Sequence, residues 1–510
     1  MKKLILFVAI FAAHYISAQT SAVFPDDFID DGLNGKNVKI TNNLYAVSTV
    51  YNGTTKNVYF AEFLPKMPGE TIADSNSDEY SDISYRNADT DMRLQISNLP
   101  FDMPIGARLK NIVINMASAY NNRGSYDWMY YEMEGRGPDR YDPTRKPTFD
   151  GATLLVCAAN LQWYMTTISS SSSGATTQEL FNRQTAKITE ALSEIQADIF
   201  AFIEVEQNAG VLDTLANRLN NKLSTPGKWV AVDRGITDKS STYQSCGFIY
   251  NTQTVKPVGT YGHAISGGYQ NRSPIQTFEE IASGEKFTLN CLHLKAKSSY
   301  NDNEEERMTQ VQKVATSLKS YVSADPDILI VGDYNSYSAE RPIKYLEEQG
   351  YTEELLRSDP DGYSYRYDIN NLAPAFGYLD HVMSSATMSE QVIGAKAWHI
   401  NTAYKDADYS YKKTTGTEKY RFADHDPVLI GLKLHTEPLA VDYTLAHHTA
   451  VSLQGAVVTV TGIQQSVSVF TPAGQNIFSQ LTQGSVSIQL PQGIYIIRAD
   501  NDIHKLIVNF

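Results

Sequence analysis

The residues best able to do chemistry stand at the ends of strand-like apolar runs. Phe422 to Leu434 reads FADHDPVLIGLKL, which sets Asp424 and His425 directly ahead of an apolar strand. A histidine between two carboxylates at the mouth of a sheet can serve as a base, and the neighbouring aspartate can hold a metal or orient the ring. Alone, Asp-His-Asp is a weak signal in a chain of 510 residues. Its weight comes from partners upstream. Asn160 ends LLVCAAN, Glu204 ends DIFAFIE, and His293 ends FTLNCLH. Asp333 and Asn335 follow DILIV in GDYN, and Asp380 opens LDHVMSS. Strand ends on one side of a sandwich can converge on one cleft. Taken singly, each has a plain structural explanation. Glu204 reads as a solvated strand end and Asp333-Tyr334-Asn335 as an Asx turn. His293, beside Lys295 and Lys297, reads as a polar edge, and Asp380-His381 as a surface pair. What points to a site is their joint placement in one region and at one kind of position.

The elements that must carry them begin near residue 152. Strand-like runs (ATLLVCAAN, ADIFAFIEVE, WVAVD, SCGFIYN, KFTLNCLHL, DILIVGDYN, LDHVMSS, VLIGLKL) alternate with amphipathic helical spacing. Leu180, Ile188, Leu192 and Ile195 share one helical face; Leu212, Leu215, Leu219 and Leu223 a second; Met308, Val311, Ala315 and Leu318 a third. A Ser run, Ser169 to Ser173, makes a flexible loop between the ATLLVCAAN strand and the first of these helices. The pattern predicts an α/β domain over 151–436: a two-sheet β-sandwich flanked by helices. Residues 19–150 predict a β-rich leading domain, compatible with an oligonucleotide-binding-type barrel. Its hairpin signal lies at Asn52-Gly53, and a Gly/Pro/charge-rich linker runs from Glu134 to Gly151. Residues 437–510 alternate polar and apolar around turns at Pro472-Ala473-Gly474 and Pro491-Gln492-Gly493, and predict a small C-terminal β-sandwich.

Taken together, these motifs resemble the endonuclease/exonuclease/phosphatase family over roughly Ala152 to Leu434, nearest its extracellular bacterial nucleases. The family's opening Asn matches Asn160, and its metal-binding Glu matches Glu204 in AFIEVE. Its mid-chain His matches His293, and its GDFN motif matches Gly332-Asp333-Tyr334-Asn335. The Asp of its IDY motif matches Asp380, and its SDH.PV end matches Ala423 to Val428. The resemblance implies a pancreatic deoxyribonuclease-like sandwich and hydrolysis of phosphodiesters in DNA, with RNA also open, by in-line attack of water. It implies one divalent ion on Glu204 with Asn160 and Asp424 close by, and a second ion, where present, near Asp333 and Asn335. Mg²⁺ stands first, with Mn²⁺ or Ca²⁺ as alternatives. His425 would be the base and Asp380 its orienting partner. His293 and Asn335 would hold phosphate oxygens, helped by Arg272 in NRSPIQTF and by Lys295, with Lys297 reaching flanking phosphates. There are departures. No Glu to orient His293 can be placed, His381 replaces the family's usual aromatic, and Ser364 to Leu372 lacks a counterpart.

Composition sets the outer bounds. A net charge of −14 argues against a protein that coats nucleic acid by bulk electrostatics, and not against an enzyme meeting phosphate through a cation. Residues 1–18 read as a signal peptide: Lys2 and Lys3, then an apolar core from Leu4 to Ala13, then a small-residue cleavage site at Ala18. No later stretch approaches a membrane-spanning length. Cys157, Cys246 and Cys291 sit in apolar runs and read as buried thiols. The C-terminal pattern resembles the sorting domain of the type IX secretion system, which implies a partner in the export machinery and a secreted or surface-attached product. Two other readings stay open. One is a small-molecule or lipid phosphodiesterase or phosphatase. The other is a non-catalytic nucleic-acid-binding protein. The oligomeric state has no sequence signal.

Overall fold

The computed structural model describes residues 19–61, 94–97, 104–116, 126–131, 140–434 and 450–508, apart from gaps at 25, 29–30, 34, 53–54, 111, 171–172, 298–302, 323–324, 361, 370–372, 405–408, 455, 464–465, 473–474 and 500–501. The signal-peptide segment, residues 1–18, lies outside the described residues, as do Gly53 of the Asn52-Gly53 hairpin signal, residues 134–139 of the Glu134–Gly151 linker, and Ala473 and Gly474 of the Pro472-Ala473-Gly474 turn. The chain divides into two compact units, Met1–His435 and Thr436–Phe510.

The centre of the first unit is a pair of six-stranded sheets. One runs in the order Trp229–Ala231, Gln244–Asn251, Ile199–Glu206, Leu154–Tyr164, Val428–Leu432, Val392–Ala397. The other runs Val255–His263, Pro274–Glu280, Lys286–His293, Ile328–Asp333, Asp380–Ser384, Thr352–Glu353. Each has one parallel pair at its middle, Leu154–Tyr164 beside Ile199–Glu206 and Lys286–His293 beside Ile328–Asp333, with antiparallel neighbours. Alternation along these strands builds two kinds of core. Val156, Ala158, Ala201, Ile203, Leu289, Cys291, Leu329, Val331 and Val382 point between the sheets. Cys157, Ala159, Phe200 and Phe202 point outward under helices Gln178–Ile195 and Val211–Leu223. Leu292, Ile328, Ile330 and Met383 point outward on the other side, under helices Glu304–Val322 and Arg341–Glu348.

The strands Val255–His263, Pro274–Glu280 and Val392–Ala397 were not foreseen from the sequence. Two of them are edges of their sheets, and Val255–His263 has only one buried residue, so the alternation that marks a half-buried strand is missing. Pro257 sits on such an edge, where a missing N–H costs no ladder bond. The three cysteines are free and buried, as their apolar settings predict.

The leading region forms one nine-stranded sheet around Phe24, Val38, Ile40, Phe60 and Ile114. It belongs to the same compact unit as the sandwich. Ile105 packs with Tyr363 and Phe376, and its N–H donates to the Ala403 carbonyl at 3.0 Å. The second unit has a three-stranded and a four-stranded antiparallel sheet that share a core of Val458, Val460, Val467, Val469 and Ile497. Among the described residues, no helix is long and apolar enough to cross a membrane.

Candidate active site

The polar residues at the strand ends continue the inward-facing rows of the inter-sheet core. Leu289 and Cys291 point inward, so two residues on His293 does too; Leu329 and Val331 lead to Asp333 in the same way, and Val156 and Ala158 to Asn160. Register then aligns them. His293 lies opposite Asp333 across the parallel pair, and Asp333 opposite Asp380 across the antiparallel one. Three adjacent strands therefore end in a row of His, Asp and Asp above one apolar floor.

Glu204 reaches this row by a different route. Strict alternation would send it outward with Phe200 and Phe202. Instead the pairing with Gln244–Asn251 skips between Phe202 and Val205, so Val205 takes the outward position and Glu204 becomes the bulged residue, with φ +60°. A second irregularity faces it. Between Asn160 and Tyr164 the strand makes four steps while its neighbour makes two, and Gln162 and Trp163 take φ of +50° and +56°. Left-handed backbone costs a non-glycine residue about 1–3 kcal/mol and persists only where the surroundings impose it. Here it turns the Trp163 N–H onto Glu204 Oε2 at 3.0 Å and the Gln162 N–H onto Asn160 Oδ1 at 2.9 Å. Asn335, at φ +48°, closes the Asx turn after Asp333, donating its N–H to Asp333 Oδ1 at 2.8 Å.

The groups converge closely. Asn160 Nδ2 donates to Asp333 Oδ2 at 3.2 Å. His293 Nε2 lies 3.6 Å from Glu204 Oε1 and 3.9 Å from Asp333 Oδ2. His425 Nδ1 is 2.7 Å from Asp380 Oδ2, and its Nε2 is 3.8 Å from Asp333 Oδ2. Burial, then the charges of Asp424 and Asp333, pushes Glu204 up to about 7. Burial, with Asp380 and Asp424 adding to it against His425, pushes Asp333 up to about 6. Burial alone would lower His425, but Asp380, Asp333 and Asp424 outweigh it and hold the imidazole well above its ordinary value. Burial, then the nearby positive charges of Arg272 and His425, holds His293 well below it.

Sequence-named residues fall into two groups. Asn160, Glu204, His293, Asp333, Asp380 and His425 come together. Asp424 is partly exposed and acts on Glu204 and Asp333 through its charge. Asn335 is beside them, but its amide Nδ2 donates to the Leu294 carbonyl at 3.2 Å. Arg272 is near enough to bias His293 and lies over the Tyr269 ring. Lys295 is partly exposed two residues beyond His293. Lys297 is a correction: its ammonium is held at 2.7 Å by both oxygens of Glu340, a buried carboxylate also 3.4 Å from Arg307, so it braces the fold instead of facing phosphate. His381 points outward, between Glu353 and the Ser336 carbonyl, and anchors the loop after Asp333. Asp426 turns away from the cleft and fastens His399, Asn401 and Thr402.

Sequence reasoning missed Tyr365 and Ser364. The Tyr365 ring lies 4.7 Å from that of His425, and the two residues share an isolated antiparallel bridge. Ser364 Oγ accepts the Asp380 N–H at 3.0 Å, while its carbonyl accepts that of Asp426. Both sit in SYRYDINNL, the segment without a motif counterpart; its alternating aromatics were the available signal.

Glu204, His293 and Asp333 each offer a ligand atom, all within 4.8 Å of one another. A buried and a partly buried carboxylate, both with proton affinity raised by burial and by neighbouring aspartates, with an amide beside them, suit a hard divalent cation. The donor set fits.

No family model matches the chain, and no curated protein matches it. Solved structures resemble it over 55% of its length. They include a mannosyl-6-phosphatase from Bacteroides thetaiotaomicron (15% identity, all of that chain covered, TM-score 0.40). An endonuclease/exonuclease/phosphatase family protein from the same organism has 15% identity, with 98% of that chain covered and TM-score 0.39. The human nocturnin catalytic domain, with a bound sulfate anion, has 16% identity, with 94% of that chain covered and TM-score 0.38.

Proposed function

We propose that the chain is a divalent-metal-dependent phosphoester hydrolase, and that its substrate is a phosphodiester of DNA or RNA acted on outside the cell. The observation that carries this reading is the Asp380–His425 pair, 2.7 Å apart, with the far nitrogen of that histidine turned to Asp333 in the Glu204, His293 and Asp333 cluster. Glu204 and Asp333 would hold the ion, with Asn160 and Asp424 near it. Bound there, a divalent cation supplies charge to offset that growing on phosphoryl oxygens.

The chain's own residues do the rest. Asp380 accepts from His425 Nδ1, which fixes the ring and leaves Nε2 toward the cleft. Once the charge of Asp333 is offset, His425 Nε2 can take the proton of an attacking water. His293 stays neutral beside the carboxylates, and its Nδ1 has no hydrogen-bond partner among the described residues. Its Nε2, the nitrogen that faces the cluster, can meet a phosphoryl oxygen without repelling a cation. Arg272 and Lys295 have no carboxylate partner among the described residues and would meet flanking phosphates.

Export supports the diester substrate only through the leader and tail patterns, which belong to the same proposal. The test is a substrate panel with purified protein: plasmid DNA, RNA, bis-p-nitrophenyl phosphate and p-nitrophenyl phosphate, each with Mg²⁺, Mn²⁺ or EDTA. Metal-dependent cleavage of DNA or RNA supports the reading. Turnover of the monoester alone replaces it with a phosphatase, and binding of DNA without turnover replaces it with a non-catalytic module.

A further inference from the structure

We infer that Gln184 is a positioning residue for Glu204 and Asn160, acting through the Gln162–Trp163 bulge; this rests on the metal-dependent reading of the site. Gln184 lies in the helix Gln178–Ile195 and is fully buried. Its Nε2 donates to two consecutive carbonyls, Leu161 O at 3.0 Å and Gln162 O at 3.1 Å. A carbonyl cannot donate, so the amide nitrogen must face them. That leaves Gln184 Oε1 buried with no hydrogen-bond partner among the described residues. A buried amide that leaves its own oxygen unsatisfied is retained where its two donors are needed.

The need is visible one residue further on. The held carbonyls belong to the stretch whose next N–H groups orient the site. Gln162 N–H fixes Asn160 Oδ1, so that Asn160 Nδ2 turns to Asp333. Trp163 N–H fixes Glu204 Oε2, leaving Oε1 toward His293. The next carbonyl of the same stretch lies close against Gly174. A Cβ there would stand 2.2 Å from the Trp163 carbonyl oxygen, a backbone atom that would have to move. Gln184 and Gly174 thus confine three consecutive carbonyls of the bulge, and the bulge aims two of the groups proposed to surround the ion. Groups that orient ligands without touching the ion change metal affinity or activity by about 10- to 100-fold when removed.

The experiment measures Mn²⁺ binding to the intact chain by titration calorimetry, alongside thermal melting, for wild type, Gln184→Met and Gly174→Ala. Methionine keeps the volume and removes both donors. The expected result is an Mn²⁺ dissociation constant raised about 10-fold or more in both variants, with cooperative melting kept. Wild-type affinity in a folded Gln184→Met protein, whatever its melting temperature, makes Gln184 merely structural and overturns the inference while leaving the functional reading intact. Should Gln184→Met fail to fold, Gly174→Ala decides on the same criterion. Absence of Mn²⁺ binding in the wild type would overturn both.

Discussion

Asp380 and His425 are 45 residues apart in sequence, yet their side chains meet at 2.7 Å, and the other edge of that imidazole faces Asp333 at 3.8 Å. Asp380 has a second tie, its N–H on Ser364 Oγ, so the carboxylate is fixed by backbone before it fixes the ring. Replacing Asp380 with Asn should leave the fold intact and lower turnover about 10²- to 10⁴-fold, the usual contribution of an oriented proton acceptor. The His425 imidazole should also titrate lower, since Asp380 is the largest of the charges holding its proton. Kinetics with histidine NMR titration check both.

Stability should depend on pH with a defined sign. Glu204 is raised to about 7 and Asp333 to about 6, both above their values in an unfolded chain. The folded state therefore binds more protons across roughly pH 4 to 7. This contribution is fully present below the unfolded values and is lost as pH rises through the folded ones. His425, also raised, adds in the same direction. Metal-free protein should melt lower at pH 8 than at pH 5 by more than Glu204→Gln does, and Mn²⁺ should raise the melting temperature more at pH 8. Differential scanning fluorimetry of the two proteins reads the difference; equal pH slopes would reject the assignment.

Lys295 and Lys297 should separate cleanly. Lys297→Met strips one cation from buried Glu340 and leaves Arg307 as its cation among the described residues, so it should cost about 1–3 kcal/mol with KM unchanged. Lys295→Met should leave melting unchanged and raise KM for a polymeric substrate. Paired melting and kinetic measurements decide the matter.

Tyr365 is partly buried and packs its ring, tilted, against that of His425 at 4.7 Å. Tyr365→Ala should lower turnover about 10-fold or more by loosening the ring, more than it lowers metal affinity. Tyr365→Phe should recover most of it if the ring, and not the hydroxyl, is what matters. Steady-state kinetics of the pair is the check.

Much of this site was legible because it obeys a period of two. Asn160, His293 and Asp333 each fall two residues past an inward apolar position, so an alternating strand already says which way they point. Glu204 was legible as a residue but not as a geometry. Its direction depends on a bulge that breaks alternation, and nothing in AFIEVE marks the extra residue. Lys297 misled because proximity to His293 in sequence says nothing of Glu340, whose partnership forms only when the helix Arg341–Glu348 packs. Gln184 was invisible for a like reason: an amide on a helix face reads as a solvated side chain until the fold buries it.

The most direct test of the central claim is the rate of phosphodiester cleavage in plasmid DNA and bis-p-nitrophenyl phosphate as a function of Mg²⁺ or Mn²⁺, for wild type and Glu204→Ala. The account predicts saturable metal activation in the wild type, complete loss in EDTA, and no cleavage by a folded Glu204→Ala protein. Undiminished cleavage in EDTA, or full activity in Glu204→Ala, would contradict it.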